Sequence, residues 1–224
     1  MRNFIRVKIC CISSVGEAML AIKYGASALG LVSEMPSGPG VIDDNLIEKI
    51  SSKVPPPVAT FLLTSKQNAD EIIIQHSKVK TNTLQLVDHL PHYDLKKLRE
   101  QLPAIKLVQV IHVLDEKSID EAVSVQTYVD ALLLDSGNPK LKVKELGGTG
   151  RTHNWEISRQ IVEEVNLPVF VAGGLNPDNV IEAIEVVKPY GLDICSGVRT
   201  NNQLDEIKLN LFFEKVNKYN IHTT

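Results

Sequence analysis

The chain has 224 residues, 43% of them apolar, which is enough to bury the core of one mid-sized domain. Its 24 basic and 27 acidic residues are mixed along the sequence, so no basic surface favours a nucleic-acid partner. The longest apolar runs fall well short of the roughly 18 residues that a membrane span needs, and no secretory leader is recognisable. The sequence therefore predicts a cytoplasmic protein of one domain, residues 1–224, with reduced cysteines.

Apolar runs typical of strands covered on both faces alternate with longer stretches of helical period. In chain order, the predicted strands are residues 6–12, 28–32, 58–63, 83–86, 106–111, 131–135, 168–172 and 192–195. The helices with the clearest boundary signals are residues 15–24 between Ser14 and Gly25, residues 45–53 after Asp43, a segment from Asn176-Pro177 to Pro189, and residues 204–216. The tail at residues 218–224 is predicted to be frayed.

Eight consecutive strand and helix units of even length favour a (β/α)₈ barrel with parallel strands. The alternative is a doubly wound open sheet. It is disfavoured because no unit has the character of an edge strand, and because no glycine pattern for dinucleotide binding follows the first strand. In a barrel of this kind, the functional residues lie at the C-terminal ends of the strands.

Two strand ends carry candidate acid and base groups. On the first strand, Lys8 and Cys10 share one face while Ile9 and Cys11 share the other, which is suited to contact with helices. Cys10 is a candidate for chemistry; its alternative role is that of a small buried apolar residue. Asp135 closes an apolar sixth strand, where it either caps the next loop or faces the same pocket as Cys10. A thiol and a carboxyl across a pocket can act as base and acid.

A lysine directed into a barrel needs an acidic partner, because an unpaired buried charge is costly. The first and eighth strands are neighbours in a closed barrel. We therefore predict that Lys8 pairs with Asp193.

The seventh and eighth strands end in small residues that suit a phosphate group. Gly173 and Gly174 follow the seventh strand, and Ser196 and Gly197 follow the eighth, each pair preceding a predicted helix start. Backbone N–H groups without obstructing side chains can bind a phosphate at this place in a barrel. The alternative is that these glycines only permit tight turns.

Other patterns are less informative. The glycine-rich residues 147–152 lack the spacing of a nucleotide-triphosphate loop and favour a mobile lid. His89 and His92 have no third ligand at a suitable spacing, so no metal site is predicted. No nucleophilic serine motif and no pair of carboxylates for glycoside chemistry is found.

The chain resembles the phosphoribosylanthranilate isomerase family of tryptophan biosynthesis over most of its length. The matching motifs are Lys8-Ile9-Cys10, Leu133-Leu134-Asp135-Ser136, and residues 147–155, 172–180 and 192–198. The resemblance implies a (β/α)₈ barrel that converts N-(5-phosphoribosyl)anthranilate to the 1-deoxyribulose 5-phosphate product by an Amadori rearrangement, without a cofactor.

The resemblance also implies roles for residues. Asp135 would be the general acid that protonates the ring oxygen, and Cys10 the general base that removes the C2 proton. Gly173, Gly174, Ser196 and Gly197 would bind the phosphate. The partner is then a small phosphorylated substrate, and we expect a monomer or a homodimer. Alternatives are a relative acting on another phosphorylated N-glycoside and a noncatalytic barrel that binds a phosphorylated ligand.

The chain departs from the family pattern at three places. Residues 36–40 contain no cation, whereas the family carries an arginine there that meets the anthranilate carboxylate. The fourth strand continues into Val87-Asp88 instead of a histidine and a glycine, and Arg199-Thr200 replaces a glutamate followed by a turn. We expect Arg151, in preference to Arg199, to supply the missing cation from the flexible loop.

Overall fold

The computed structural model describes residues 4–222 and contains eight parallel strands that close into a barrel in chain order. The strands are β1 (Arg6–Ile9), β2 (Ala28–Val32), β3 (Ala59–Thr64), β4 (Thr83–Leu86), β5 (Lys106–His112), β6 (Ala131–Asp135), β7 (Val169–Val171) and β8 (Gly191–Ile194). β1 pairs with both β2 and β8, so the sheet has no edge. The (β/α)₈ prediction is confirmed, and the open sheet is excluded.

Eight helices surround the barrel in the described part of the chain. They are α1 (Val15–Tyr24), α2 (Asp44–Ser51), α3 (Ala69–Val79), α4 (His92–Gln101), α5 (Lys117–Val125), α6 (Trp155–Glu164), α7 (Val180–Val187) and α8 (Glu206–His222). Between β8 and α8 lie a 3₁₀ turn (Ser196–Val198) and a two-stranded hairpin of β9 (Arg199–Thr200) and β10 (Gln203–Leu204). None of the helices within residues 4–222 is both long and apolar enough to cross a membrane.

The predicted boundaries of α1, β2, β4 and β6 agree with the structure. Those of β3, β5, β7 and β8 differ by one residue at one or both ends, and α2 begins one residue and ends two residues earlier than predicted. The differences at β1 and α7 have local reasons. β1 ends at Ile9 and not at residue 12, because Cys11 adopts a left-handed backbone conformation with φ 62°. Helix α7 begins only at Val180, since the segment after Asn176 first forms a turn in which Asn176 Oδ1 accepts hydrogen bonds from the N–H groups of Asp178 and Asn179.

The predicted frayed tail is also wrong as far as His222, because α8 extends to that residue. The side chain of Asn220 fixes this end: its Oδ1 accepts from the N–H of Ile5 at 2.9 Å, and its Nδ2 donates to the Ile5 carbonyl at 3.3 Å. The end of the last helix is thereby hydrogen-bonded to the segment that leads into β1. Thr223 and Thr224 lie outside the described residues.

The buried apolar residues form two layers. One layer fills the space between strands and helices, and includes Ile9, Leu29 and Leu132. The second layer fills the barrel interior, where Phe61 and Phe170 pack edge to face with ring centres 6.2 Å apart. This interior layer forms the floor on which the side chains at the strand ends rest.

Candidate active site

An open pocket of about 680 Å³ lies at the C-terminal ends of the strands. Six of the residues singled out from the sequence line it: Cys10, Asp135, Gly173, Gly174, Asp193 and Ser196. The other lining residues, which the sequence did not single out as site residues, include Cys11, Gln85, Thr149 and Cys195. The strand ends thus bring the proposed base, the proposed acid and the glycine loops into one cavity, as the barrel prediction requires.

Lys8 and Asp193 form an ion pair beneath the pocket, as predicted, with Nζ and Oδ2 2.8 Å apart. The two residues are register partners on β1 and β8, and Lys8 is completely buried. Burial alone lowers the pKa of Lys8, but the Asp193 carboxylate and the nearby thiols outweigh it and raise this pKa. The pair therefore places a permanent positive charge under the thiol of Cys10.

The thiol of Cys10 lies close to this ammonium group. A Cβ atom built on Gly30 would be 2.8 Å from Cys10 Sγ and 3.0 Å from Lys8 Nζ. The two atoms can be no further apart than these distances together, which is within the range where opposite charges act strongly. Gly30 also lacks the side chain that would displace both groups. Lys8 therefore places its positive charge beside the sulfur of Cys10.

Cys11 does not face the helices, contrary to the expectation from strict alternation. Its positive φ ends the strand and turns its side chain to the same pocket as Cys10. There its sulfur lies 2.7 Å from the sulfur of Cys195, at the end of β8. Three thiols therefore line one side of the pocket. A sequence argument misses this arrangement because a single residue with positive φ breaks the period of two.

Asp135 is a buried carboxyl group at the end of β6. Its Oδ1 accepts a hydrogen bond of 2.7 Å from the N–H of Ser136. Burial raises the pKa of this carboxyl group and outweighs the hydrogen bond from Ser136 and the charge of Lys8, which lower it. A raised pKa favours the protonated form, which is the form that can donate a proton.

The glycine-rich loop covers this carboxyl group. A Cβ atom on Gly147 would lie 2.7 Å from Asp135 Oδ2, so only glycine allows the backbone to come this close. Ser136 and Thr149 join the loop to the end of β6 by a hydrogen bond of 2.6 Å between their hydroxyl groups. Asp135-Ser136 and the glycine-rich loop both lie in motifs that match the family. The sequence did not indicate that these two motifs contact each other.

The two predicted phosphate loops lie side by side. Gly173 and Gly174 have φ values of +78° and +62°, which suit glycine. A Cβ atom on Gly197 would lie 2.0 Å from the carbonyl oxygen of Leu175, so the β8 loop packs directly on the β7 loop. Their backbones are therefore close enough to serve one ligand group, and the glycines do more than permit turns.

Arg199 does not reach into the pocket. It is 8% exposed, and its guanidinium forms an ion pair with Glu17 at 2.9 Å. Its Nη2 also donates to the carbonyl oxygens of Cys10 and Cys11, at 3.2 and 2.6 Å. Glu17 in turn accepts from the N–H groups of Ser13 and Leu204. Arg199 is thus a buried side chain that fixes the residues after β1 through hydrogen bonds. The sequence did not predict this role.

The backbone of Arg151 lies beside the loop that follows β7. Its carbonyl oxygen would lie 3.1 Å from a Cβ atom on Gly173, and its exposed side chain pairs with Glu145 at 2.5 Å. A different cation lies near residues 36–40. Lys144 accepts a hydrogen bond of 2.6 Å at its carbonyl oxygen from Ser37 Oγ, and its ammonium group contacts Asp88.

The histidines of the β4 loop do not form a metal centre with neighbouring residues. His92 begins α4 and stacks on Tyr128, with ring centres 4.7 Å apart. Within residues 4–222, no group of three or more histidine, cysteine, aspartate or glutamate side chains is arranged to hold a metal ion.

Comparison with known proteins identifies close relatives. A family model described as N-(5'-phosphoribosyl)anthranilate isomerase matches residues 7–215. Proteins of that name from Methanosarcina mazei (isomerase 2) and Methanocella arvoryzae are 37% and 34% identical, covering 92% and 91% of this chain and 91% and 93% of their own. The crystal structure of the Thermotoga maritima isomerase has a TM-score of 0.82 at 27% identity, covering 96% of this chain and 99% of that one. A structure with reduced 1-(o-carboxyphenylamino)-1-deoxyribulose 5-phosphate bound has a TM-score of 0.80 at 26% identity, with the same coverage.

Proposed function

The chain belongs to the N-(5'-phosphoribosyl)anthranilate isomerase family of tryptophan biosynthesis, and we propose that Cys10 and Asp135 are the base and the acid of its aldose–ketose isomerisation. The supporting observation is that both side chains line one pocket, with a lysine beneath the thiol and burial favouring the protonated carboxyl.

The reaction needs a proton donor and a proton acceptor at different atoms of the sugar. Asp135 donates its proton to the ring oxygen, so that the C1–O bond breaks and the nitrogen forms a protonated imine with C1. Cys10, as the thiolate, then removes the C2 proton, and the electron pair of that C–H bond forms the enolamine. Lys8 places a positive charge beside the sulfur of Cys10, while the raised pKa of Asp135 favours the acid form. Tautomerisation of the enolamine gives the ketose.

The phosphate of the substrate is assigned to Gly173, Gly174, Ser196 and Gly197. Their adjacent loops offer backbone N–H groups and one hydroxyl group without obstructing side chains. The ligand is a small phosphorylated molecule, and the chain works as a monomer or a homodimer in the cytoplasm. The roles proposed for these residues require no cofactor.

The carboxylate of the aryl group requires a cation at the opposite side of the pocket. Arg151, which we expected to supply it, pairs with Glu145 and would have to leave that carboxylate to do so. Lys144 is the stronger candidate because its backbone is hydrogen-bonded to Ser37, a residue of the pocket wall. Its ammonium group already holds a carboxylate, that of Asp88. The substrate carboxylate would compete with Asp88 for Lys144.

A fluorescence assay tests the activity. The substrate is prepared from anthranilate and a phosphoribosyl donor, and isomerisation lowers the anthranilate-type fluorescence. Complementation of a tryptophan auxotroph lacking this isomerase tests whether anthranilate is the native aryl group. Turnover without complementation would indicate another N-glycoside, and phosphate binding without turnover would contradict the proposed catalytic roles.

A further inference from the structure

A pair of thiols at the seam between β1 and β8 has no role in the isomerisation. Cys11 follows the proposed base, and Cys195 precedes the phosphate loop of β8. Their sulfur atoms are 2.7 Å apart, within roughly 0.7 Å of the covalent S–S length. We propose that Cys11 and Cys195 form an oxidation site, at which a peroxide converts the two thiols to a disulfide across this seam.

The backbone supports such a bond. β1 and β8 are paired, with Ile9 opposite Ile194, so Cys11 and Cys195 lie one position apart on neighbouring strand ends. Strands at a spacing of about 4.8 Å place these Cα atoms in the range that disulfides occupy. The positive φ of Cys11 directs its side chain across the seam instead of away from it. No large backbone movement is needed.

Cys195 is the more accessible of the two thiols, since Cys11 is buried. The two residues line the pocket, and Cys195 is partly exposed. The neighbouring thiol of Cys11 and the Arg199 guanidinium hold the pKa of Cys195 below its usual value, in spite of burial. The same neighbourhood raises the pKa of Cys11. Cys195 is therefore the nucleophile of the pair, and Cys11 is the thiol that resolves it.

The chemistry balances with hydrogen peroxide as the oxidant. The thiolate of Cys195 attacks one peroxide oxygen, the O–O bond breaks, and a sulfenic acid and a hydroxide form; the hydroxide takes up the proton that the Cys195 thiol released and becomes the first water. The sulfur of Cys11 then attacks the sulfenic sulfur, the S–O bond breaks, and the hydroxyl leaves as a second water with the thiol proton. Two thiols lose two electrons, and one peroxide is reduced to two waters.

The bond would change the site because of what flanks it. Cys11 is adjacent to Cys10, and Cys195 is adjacent to Ser196, so the disulfide would link the base side of the pocket directly to the phosphate side. A shift of about 1 Å in a reacting group costs roughly 10²-fold in rate. We expect the oxidised protein to turn over about 10- to 100-fold more slowly, and a dithiol reductant to restore the rate.

The experiment treats the full-length reduced protein with hydrogen peroxide. Free thiols are then counted after denaturation, and disulfide-linked peptides are mapped without reduction. We expect the count to fall from the three cysteines of the chain to one, with a peptide that joins Cys11 to Cys195. Cys11→Ser and Cys195→Ser should not form the link, and in each the oxidised rate is compared with that variant's own reduced rate.

Cys10→Ser separates this proposal from the proposed mechanism. This variant should lose turnover and still form the disulfide between Cys11 and Cys195, because that bond depends on the proximity of the two sulfur atoms and not on catalysis. If Cys11→Ser does not fold, Cys195→Ser provides the same comparison. Three free thiols after treatment, or a link through Cys10, would overturn the proposal. If the oxidised wild-type protein contains the Cys11–Cys195 disulfide but turns over at the reduced rate, the proposed effect of the disulfide on the site is wrong.

Discussion

The two ends of the pocket are built in different ways. The proposed catalytic end, with Cys10 and Asp135, lies where β1 and β6 end, and the register of these strands positions both side chains. The proposed aryl end, with residues 36–40, Asp88 and Lys144, is held by contacts between loops that are far apart in sequence, such as Ser37 to Lys144. Geometry set by strands tolerates little change, whereas geometry set by loops can be rebuilt around a different cation.

The largest effect is expected at the catalytic end. Cys10→Ser and Asp135→Asn change little volume, so they should leave the fold intact while they remove the base and the acid. Each should lower kcat by about 10²- to 10⁴-fold, the usual range for a general acid or base. Steady-state kinetics with a thermal melt of each variant tests this. A variant that keeps near-full activity does not carry the assigned role.

The ion pair beneath the catalytic end should dominate its stability. Lys8→Met leaves Asp193 buried without a counter-charge, which costs about 3–5 kcal/mol of unfolding free energy. Replacing both residues, by Lys8→Met with Asp193→Leu, should recover much of this loss while the activity stays low. Urea denaturation measures the first effect. Equal stability of the single variant and the wild type would show that the pair is not needed for folding.

The aryl end should respond through KM. If Lys144 binds the carboxylate, Lys144→Ala loses a charge-assisted contact and raises KM by about 10- to 100-fold, while Arg151→Ala has little effect. The opposite result would restore Arg151 to this role. An unchanged KM in both variants would mean that neither side chain binds the carboxylate of the substrate.

An introduced arginine sharpens the same comparison, provided that it is placed correctly. Gly38 is a poor position because its φ of +108° is strained for any other residue. Ser37 lines the pocket without this restriction, so Ser37→Arg in the Lys144→Ala background should lower KM again. Ser37→Gln is the matched control for bulk without charge. An equal response to both would rule out a charge effect.

Sequence reasoning succeeded where function depends on strand order and failed where it depends on loops. The pairing of Lys8 with Asp193 followed from the closure of the barrel, and β2, β4 and β6 have the predicted boundaries. The role of Arg199 could not be predicted, because its partner Glu17 lies in α1 and Arg199 in the hairpin after β8, and no strand register of the barrel relates these two positions. The contact between Lys144 and Asp88 joins two loops whose conformations the hydrophobic pattern does not specify.

The smallest effect that we expect is a pH-dependent change in stability at His153. His153 follows the glycine-rich loop, its Nε2 is 2.6 Å from Ser158 Oγ, and burial lowers its pKa from 6.5 to about 4. The unfolded chain binds this proton at a higher pH than the folded one, so stability is lost as the pH falls from 6.5 towards 4. Because His153 is partly exposed, we expect a loss of only about 1 kcal/mol between pH 7 and pH 5.

Urea denaturation at the two pH values, with His153→Gln as the control, measures this contribution. The glutamine can still donate to Ser158 but does not titrate, so its pH dependence should be flatter. An identical slope in both proteins would assign the acid sensitivity to another group.

The closure of the barrel also sets when the protein can become active during its synthesis. Lys8 and Asp193 are 185 positions apart, and Ile5 and Asn220 are 215 apart, so the seam joins almost the first residues to almost the last. A ribosome-bound chain must therefore be extended beyond Asp193 before the buried lysine meets its counter-charge, and until then β1 lacks one neighbour. A circular permutant opened between α4 and β5, with the natural ends joined by a linker, would make this seam local, and we expect it to close early in translation.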